Sequence, residues 1–364
     1  MGAFMQAGEL IVPASPSWTQ ALEGLHHDVY HLPQYATIHA ALTGGEVYAF
    51  SYVEGSRRFF LPLVLRDVGD GCWDAASPYG YPGPLSNVLD EGFWDAALAR
   101  LTAVLEQRRV VTLFVRAHPL LPAQSASLQR AGTVVRHGET VSLDLRREPE
   151  ELVAGFRSNH RRQIERARRG GTTTVVDRWE LLDAFIDAYY ETMTRVGATP
   201  EYFFPRSYFH QLVAGLDGFV HLVAAVRDDE LLAGGLFFTC QGLVQYHLGA
   251  TWTEALREQP MKLVFDATWR WARDQGATDL HLGGGVGGAA DSLFHFKAGF
   301  SDRRHAFETL RVIVDPEAYR RLCAGAGHQT GDDLTAFFPS FRRPRPEVDA
   351  QDEDVRLTLP GLRS

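Results

Sequence analysis

The sequence predicts an α/β protein built from two similar units in tandem, and three observations point there. At 364 residues the chain is longer than one hydrophobic core usually serves. Its composition, 45% hydrophobic and 22% charged, is that of a soluble globular protein. Its apolar periods run helix, helix, antiparallel strands, irregular loop, helix, strand, and then repeat that order. The units are expected at residues 10–147 and 148–340. Residues 341–364, with Pro344, Pro346 and the acids from Glu347 to Asp354, are expected to be a disordered tail.

In the first unit helices are predicted near 16–27 and 33–42, then strands at 46–53 and 57–65. The stretch 74–85 predicts an irregular loop, since three prolines and two glycines crowd residues 77–84. Phe93, Ala97, Leu101 and Leu105 recur every four residues and mark a helix over 91–108, followed by a strand at 110–116. The second unit repeats this with helices at 180–196 and 205–215, strands at 218–227, 231–240 and 242–250, a loop at 251–260, a helix at 261–275 and a strand at 279–282. One further strand is expected at 305–314. Between the units, residues 150–169 read as one helix stopped by Gly170 and Gly171.

The net charge of −9 argues against a protein that coats nucleic acid over its whole surface, yet leaves room for a local basic track. Cys72, Cys240 and Cys323 are far apart and form neither a disulfide framework nor a zinc motif, which fits a reducing cytoplasm. The first residues have no basic segment followed by an apolar one, and no run of 18 apolar residues occurs, so no membrane span is expected. Serine-hydrolase and metalloprotease motifs are absent.

Among 36 basic residues only Lys262 and Lys297 are lysines. An ammonium is a compact charge that can change protonation or sit on one oxygen, whereas guanidinium is a planar fork that stays charged. Lys297 follows the run Gly283–Gly284–Gly285–Val286–Gly287–Gly288, which satisfies G-x-G-x-x-G. About one further strand follows, however, and no acidic residue stands at the ribose distance, so a dinucleotide site is not supported. No Lys-Ser or Lys-Thr follows, which excludes a P-loop. The run reads instead as a strand end approached closely by a ligand or another segment, leading into a helix from near Ala289 that presents Asp291 and Lys297.

Two readings stand for several other features. Tyr79 and Tyr81, in a loop fixed by prolines, either line a pocket or pack as a plug; Asp74 either orients an amine or is a turn acid. Arg206, among aromatics, either grips an anion or opens a helix. Tyr246 and His247 point to opposite faces of a strand, and His281 reads as a core histidine. Arg157, Arg161, Arg162 and Arg166 form either a solvated helix face or a phosphate track.

The duplicated order resembles two fused N-acetyltransferase (GNAT-type) domains. The phrases Arg157–Arg169, Tyr189–Arg195, Tyr246–Thr251 and Leu282–Gly285, with Asp291-Ser-Leu-Phe-His-Phe-Lys-Ala-Gly-Phe-Ser301, narrow the resemblance to the Fem-type branch of peptidoglycan-bridge aminoacyltransferases and related acyltransferases. It implies two tandem GNAT-like domains of mixed, mostly antiparallel sheet flanked by helices. It implies amide formation, with aminoacyl-tRNA or acyl-CoA as donor substrate, no required cofactor, and a peptidoglycan precursor, small peptide or other amine as acceptor. Phe296 and Lys297 would lie beside the donor ester, while Tyr79 and Tyr81 would belong to the acceptor pocket. Tyr246, Gly284, Gly285, Asp291 and Arg206 complete the expected binding set, with tRNA on the arginine helix. Neither 251–260 nor 77–84 offers the glycine-rich turn on which acetyl-CoA enzymes hold pyrophosphate, which favours a donor held by side chains.

Overall fold

A computed structural model of the chain describes residues 7–327 and 334–343. Its strands are β1 (Ala7–Ile11), β2 (Glu46–Glu54), β3 (Arg57–Gly69), β4 (Cys72–Ala76), β5 (Leu85–Ser86), β6 (Val110–Arg116), β7 (Thr133–Asp144), β8 (Thr173–Val176), β9 (Val220–Arg227), β10 (Glu230–Cys240), β11 (Leu243–Thr251), β12 (Asp279–Gly283) and β13 (Arg304–Ile313). All belong to one sheet in the order β1-β2-β3-β4-β6-β13-β7-β12-β11-β10-β9-β8, with β5 beside β3.

Read from its two edges inward, this sheet repeats itself. β1-β2-β3-β4-β6 on one side matches β8-β9-β10-β11-β12 on the other, and the only parallel pairs among the described strands occupy the same place in each, β4 with β6 and β11 with β12. The centre is an exchange. β7, which ends the first half of the chain, pairs with β12 of the second; β13, which ends the second, pairs with β6 of the first; and β7 and β13 pair with each other. Hydrogen bonding therefore crosses the boundary expected at 147/148, and each half of the sheet is completed by a strand from the other half of the chain.

Each half buries a long helix whose apolar face the sequence marks clearly. In Glu91–Gln107 the buried residues include Phe93, Trp94, Ala97, Leu101 and Leu105; in Pro260–Asp274 they include Leu263, Val264, Phe265 and Trp269. β4 runs three residues into the stretch predicted as loop: it pairs with β3 and β6, and Asp74 inside it has its charge matched by Arg66 and Arg342. The expected helix over 150–169 is two, Pro149–Gly155 and Ser158–Arg169. Between them Phe156 takes extended backbone and buries its ring, and Arg161 Nη1 donates to the carbonyls of Val153, Ala154 and Phe156 left open by the break. Of the expected tail, Ser340–Arg342 form a short turn, and 344–364 lie outside the described residues. Among the described residues no helix is long and apolar enough to cross a membrane.

β11 and β12 part before either strand ends, whereas β4 stays paired to its own last residue and β6 runs on beyond it. β11 pairs with β12 only from Leu243/Asp279 to Gln245/His281, after which β11 runs on to Thr251 and β12 turns away at Gly283. β4 and β6 part after Ala76/Phe114, where the chain leaves into 77–84 while β6 continues to Arg116. Two V-shaped openings result, one per half.

Because each half lacks a strand that the other supplies, fragments 1–147 and 148–364 expressed separately should each fail to give a cooperative thermal transition. Mixed, they should regain one by circular dichroism.

Candidate functional site

The loop 77–84 is held at both ends and carries its tyrosines across to the second half. Ser77 N–H donates to Phe114 O at 2.8 Å, Arg116 N–H donates to Ser77 Oγ at 3.1 Å, and Tyr35 Oη donates to Tyr79 O at 2.9 Å. His31 Nε2 meets Gly83 O at 2.9 Å. Tyr79 then packs edge-on against Phe204 and His247, and Tyr81 against His281 and Phe307, all ring pairs within 6.2 Å. Both tyrosines remain partly exposed. They line the junction rather than plugging the core.

Lys297 stands at the second V. It ends the short helix Ser292–Lys297 and is 6% exposed. Its Nζ donates to Gly284 O at 2.7 Å and lies 5.2 Å from the Tyr246 ring centroid. Gly283 has φ +73°, and a Cβ there would stand 3.3 Å from Lys297 Nζ and 3.4 Å from Tyr81 Oη. A side chain at 283 is thus disfavoured by backbone and crowding alike, and its absence leaves bare backbone under the amine and the phenol. Burial pulls the Lys297 pKa down to about 7, with Asp291 opposing. Burial pushes the Tyr81 phenol up, Tyr79 adding to the effect and Arg116 and the Gly284 amide opposing it.

Behind Tyr81 runs a buried polar chain between the halves. Asp28, fully buried, accepts from Val29 N–H (2.6 Å), His118 Nε2 (2.9 Å) and Gln245 Nε2 (2.6 Å). His118 Nδ1 accepts from the N–H groups of Leu120 and Leu121, which leaves its proton on Nε2 for Asp28. Since Gln245 gives its amide N–H to Asp28, its Oε1 accepts from His281 Nδ1 at 2.6 Å. His281 therefore carries its lone pair on Nε2, buried and without a hydrogen-bond partner. Burial holds its pKa well below the ordinary value, with His118, His305 and Lys297 acting the same way. The sequence reading as a core histidine fits its burial but missed this free nitrogen.

The other expected site residues divide. Tyr246, Gly284 and Lys297 meet at the V, with Phe296 beside them: its ring packs on Phe265 and Phe300, Lys262 Nζ lies 5.8 Å from its centroid, and its carbonyl meets His160 Nε2 at 3.0 Å. Gly285 O accepts from Gly288 N–H, and Asp291 caps the Lys297 helix through Phe294 N–H (2.8 Å) while holding Val286 N–H (3.0 Å). These two shape the loop. Asp74 does not reach the tyrosines' open side. Its carboxylate, 1% exposed, is held by Arg66 (2.6 and 3.0 Å) and Arg342 (2.6 and 2.9 Å). Arg206 pairs with Asp183 and Asp187 on the surface.

The arginine helix divides as well. Arg161 caps the helix break, and Arg157 Nη1 donates to His295 O at 3.0 Å. Arg162 and Arg166 are exposed, four residues apart on one face, and neither has a carboxylate within ion-pair distance among the described residues. His160 and Gln163 tie this helix to Phe296 and Lys262. Among the described residues no group of three or more His, Cys, Asp or Glu is placed to hold a metal ion. A cavity of about 280 Å³ near the start of β11, lined in part by His221, Cys240 and Trp271, lies at the opposite end of these elements from Lys297. Its histidine is occupied by Asp177 and Thr239.

Residues 154–297 match the family model described as an acetyltransferase (GNAT) domain. No curated protein sequence matches the chain. The crystal structure of FemX is similar over 86% of this chain and 99% of its own, at a TM-score of 0.69 and 14% identity. The C-terminal domain (DUF2156) of a putative lysylphosphatidylglycerol synthetase from Agrobacterium fabrum is similar over 80% of this chain and 92% of its own, at a TM-score of 0.51 and 14% identity. A conserved protein of unknown function from Bacteroides thetaiotaomicron VPI-5482 covers 85% of this chain and 100% of its own, at a TM-score of 0.55 and 9% identity. These likenesses bear on the fold alone; the GNAT match lies in the second half, whose strand order the first half repeats.

Asp74→Ala should lower stability by about 3–5 kcal/mol in chemical denaturation, since it leaves two arginines on an uncompensated site. Lys297 binds fewer protons folded than unfolded between pH 7 and its ordinary range, so stability should rise with pH across that interval. Lys297→Met should remove that rise, as denaturation midpoints at pH 7 and pH 10 would register.

Proposed function

We propose that this tandem GNAT-like protein transfers an acyl group to an amine, with the reacting carbonyl in the V between β11 and β12. The observation that carries the reading is Lys297, a buried amine poised near neutrality beside bare glycine backbone. Substrate oxygen bearing negative charge would replace its contact to Gly284 O and keep it protonated. The ammonium would then steady the oxyanion that forms as the acceptor nitrogen attacks. The new C–N bond replaces the C–O bond of an ester, and the proton lost by the amine goes to the departing oxygen. Positioning supplies the rest, from the partly exposed wall of Tyr79, Tyr81 and Tyr246.

For the donor we favour aminoacyl-tRNA, with a peptide-like amine, such as a peptidoglycan precursor, as acceptor. Two observations support this beside the Fem-type resemblance. Around the start of helix Pro260–Asp274, where a CoA pyrophosphate would need open backbone N–H groups, those of Trp252, Thr253, Ala255, Gln259 and Lys262 are taken by the chain itself. Arg162 and Arg166 stand exposed, with no carboxylate within ion-pair distance among the described residues, on a helix fastened to the Lys297 segment. The acetyltransferase description of the matching family model favours the other donor, acyl-CoA.

The protein should be incubated with a charged tRNA pool and with an acyl-CoA pool, and acylated amines sought by mass spectrometry. Product from charged tRNA that disappears on RNase treatment is expected; product from acyl-CoA alone would replace the donor assignment. Lys297→Ala should cut kcat by about 10²–10³-fold, and unchanged kcat would sink the role given to it. Reversing Arg162 and Arg166 to glutamate should weaken tRNA binding and lower the slope of log K against log salt by roughly 1–2.

A further inference from the structure

Among the described residues, β6 ends on a cation without a counterion. Arg116 is its last residue, at the point where the first V has opened, and is partly exposed. Its guanidinium carbon lies 5.8 Å from the Tyr79 ring centroid and 5.0 Å from that of Phe114. Among the described residues no carboxylate pairs with it and no acceptor takes a hydrogen bond from it. Nearby Arg66 does not help: it repels Arg116 and shares Asp74 with Arg342, so three arginines stand in the region of one carboxylate. Burial pulls the Arg116 guanidinium below its ordinary pKa, with Tyr79, Tyr35 and Tyr202 opposing, the last from the second half, and Arg66 acting with burial.

A second group beside the same tyrosine also lacks a partner. His39 stacks on Tyr79, centroids 6.4 Å apart and planes 27° apart, and its Nδ1 is buried without a hydrogen bond. Burial holds the ring neutral at neutral pH, with a pKa of about 4, and Arg116 and Arg66 act in the same direction. A half-buried cation without a counterion among the described residues and an unused buried imidazole nitrogen are both unfavourable left as they are. An oxyanion would satisfy the first outright and, with the imidazole in its Nδ1–H tautomer, would accept a hydrogen bond from the second.

We propose that Arg116, with His39 and Tyr79, binds a carboxylate or phosphate carried by the amine acceptor. The name "acceptor" rests on the acyl-transfer reading; the anion site does not. Tyr79 stands two residues from Tyr81, whose hydroxyl shares the surface over Gly283 with Lys297, so a small molecule held at Arg116 can lie along 79–81 with its amine directed to the second V. The two arms of the internal repeat then divide the work, one holding the acceptor's charged end and the other the acyl carbonyl.

The test titrates full-length protein, by calorimetry at constant ionic strength, with glycylglycine, glycylglycinamide, O-phosphoethanolamine and inorganic phosphate. Binding of glycylglycine about tenfold or more tighter than its amide identifies a carboxylate; preference for the phosphate probes identifies a phosphate. Arg116→Met should lose about tenfold or more for the preferred probe, His39→Ala should lose less, and Arg130→Gln, at an exposed arginine already paired with Glu91 and Asp95, should bind as the wild type does. Without ligand, Arg116→Met should melt higher than wild type, because it removes an unpaired cation; an arginine with a merely structural role would give the opposite. Wild-type protein that binds none of the four probes, or a folded Arg116→Met or Arg116→Gln that binds them unchanged, overturns the site. If the probes bind through Arg116 while no donor pool gives product, the site stands and only the reaction assigned to it fails.

Discussion

The reciprocal exchange of β7 and β13 is the constraint on which the rest depends. Each parallel pair opens a V, but a V alone has one wall and no depth. By closing each half with a strand from the other, the chain makes a single sheet in which the two openings cannot drift apart, because hydrogen-bonded backbone runs unbroken from β6 through β13 and β7 to β12. The loop 77–84 then has a fixed surface to cross. Its tyrosines reach His247, His281 and Phe307, residues the first half does not own.

Electrostatics set the character of the junction. Two basic groups, buried Lys297 and partly exposed Arg116, stand against aromatic rings, and among the described residues no carboxylate pairs with either. Low dielectric makes such charges costly alone and effective toward an arriving anion, the balance expected of a site that handles negative charge. The buried run Asp28–Gln245–His281 contributes differently. It is satisfied at every atom but one, and that one, His281 Nε2, lies behind Tyr81 with its tautomer dictated by an aspartate on the other half.

Much of this was legible along the chain. The doubled order of elements, the buried stripes of the two long helices, the rigid tyrosine loop and the rarity of lysine all follow from local pattern; that Tyr81, Tyr246, Gly284 and Lys297 lie near one another does not. Asp74 and Arg206 went the other way: an acid in an apolar setting and an arginine among aromatics look like ligands for substrate until their partners are known, and both are consumed by the protein's own charges. Arg116 looks like an ordinary strand terminus for the same reason in reverse, since a missing partner leaves no trace in sequence.

Periodicity is a local property, so the sequence by itself determined which segments become helix or strand, which faces are buried, and that the unit occurs twice. Pairing is not local. That the last strand of each half completes the other, that a carboxylate at 28 sets the proton on a histidine at 281, and that one lysine is desolvated to near neutrality depend on contacts between residues up to 268 apart, such as Arg342 on Asp74, and only the tertiary structure decided them. The physical reason is that burial and counterion choice are set by what packs on a group from elsewhere in the chain.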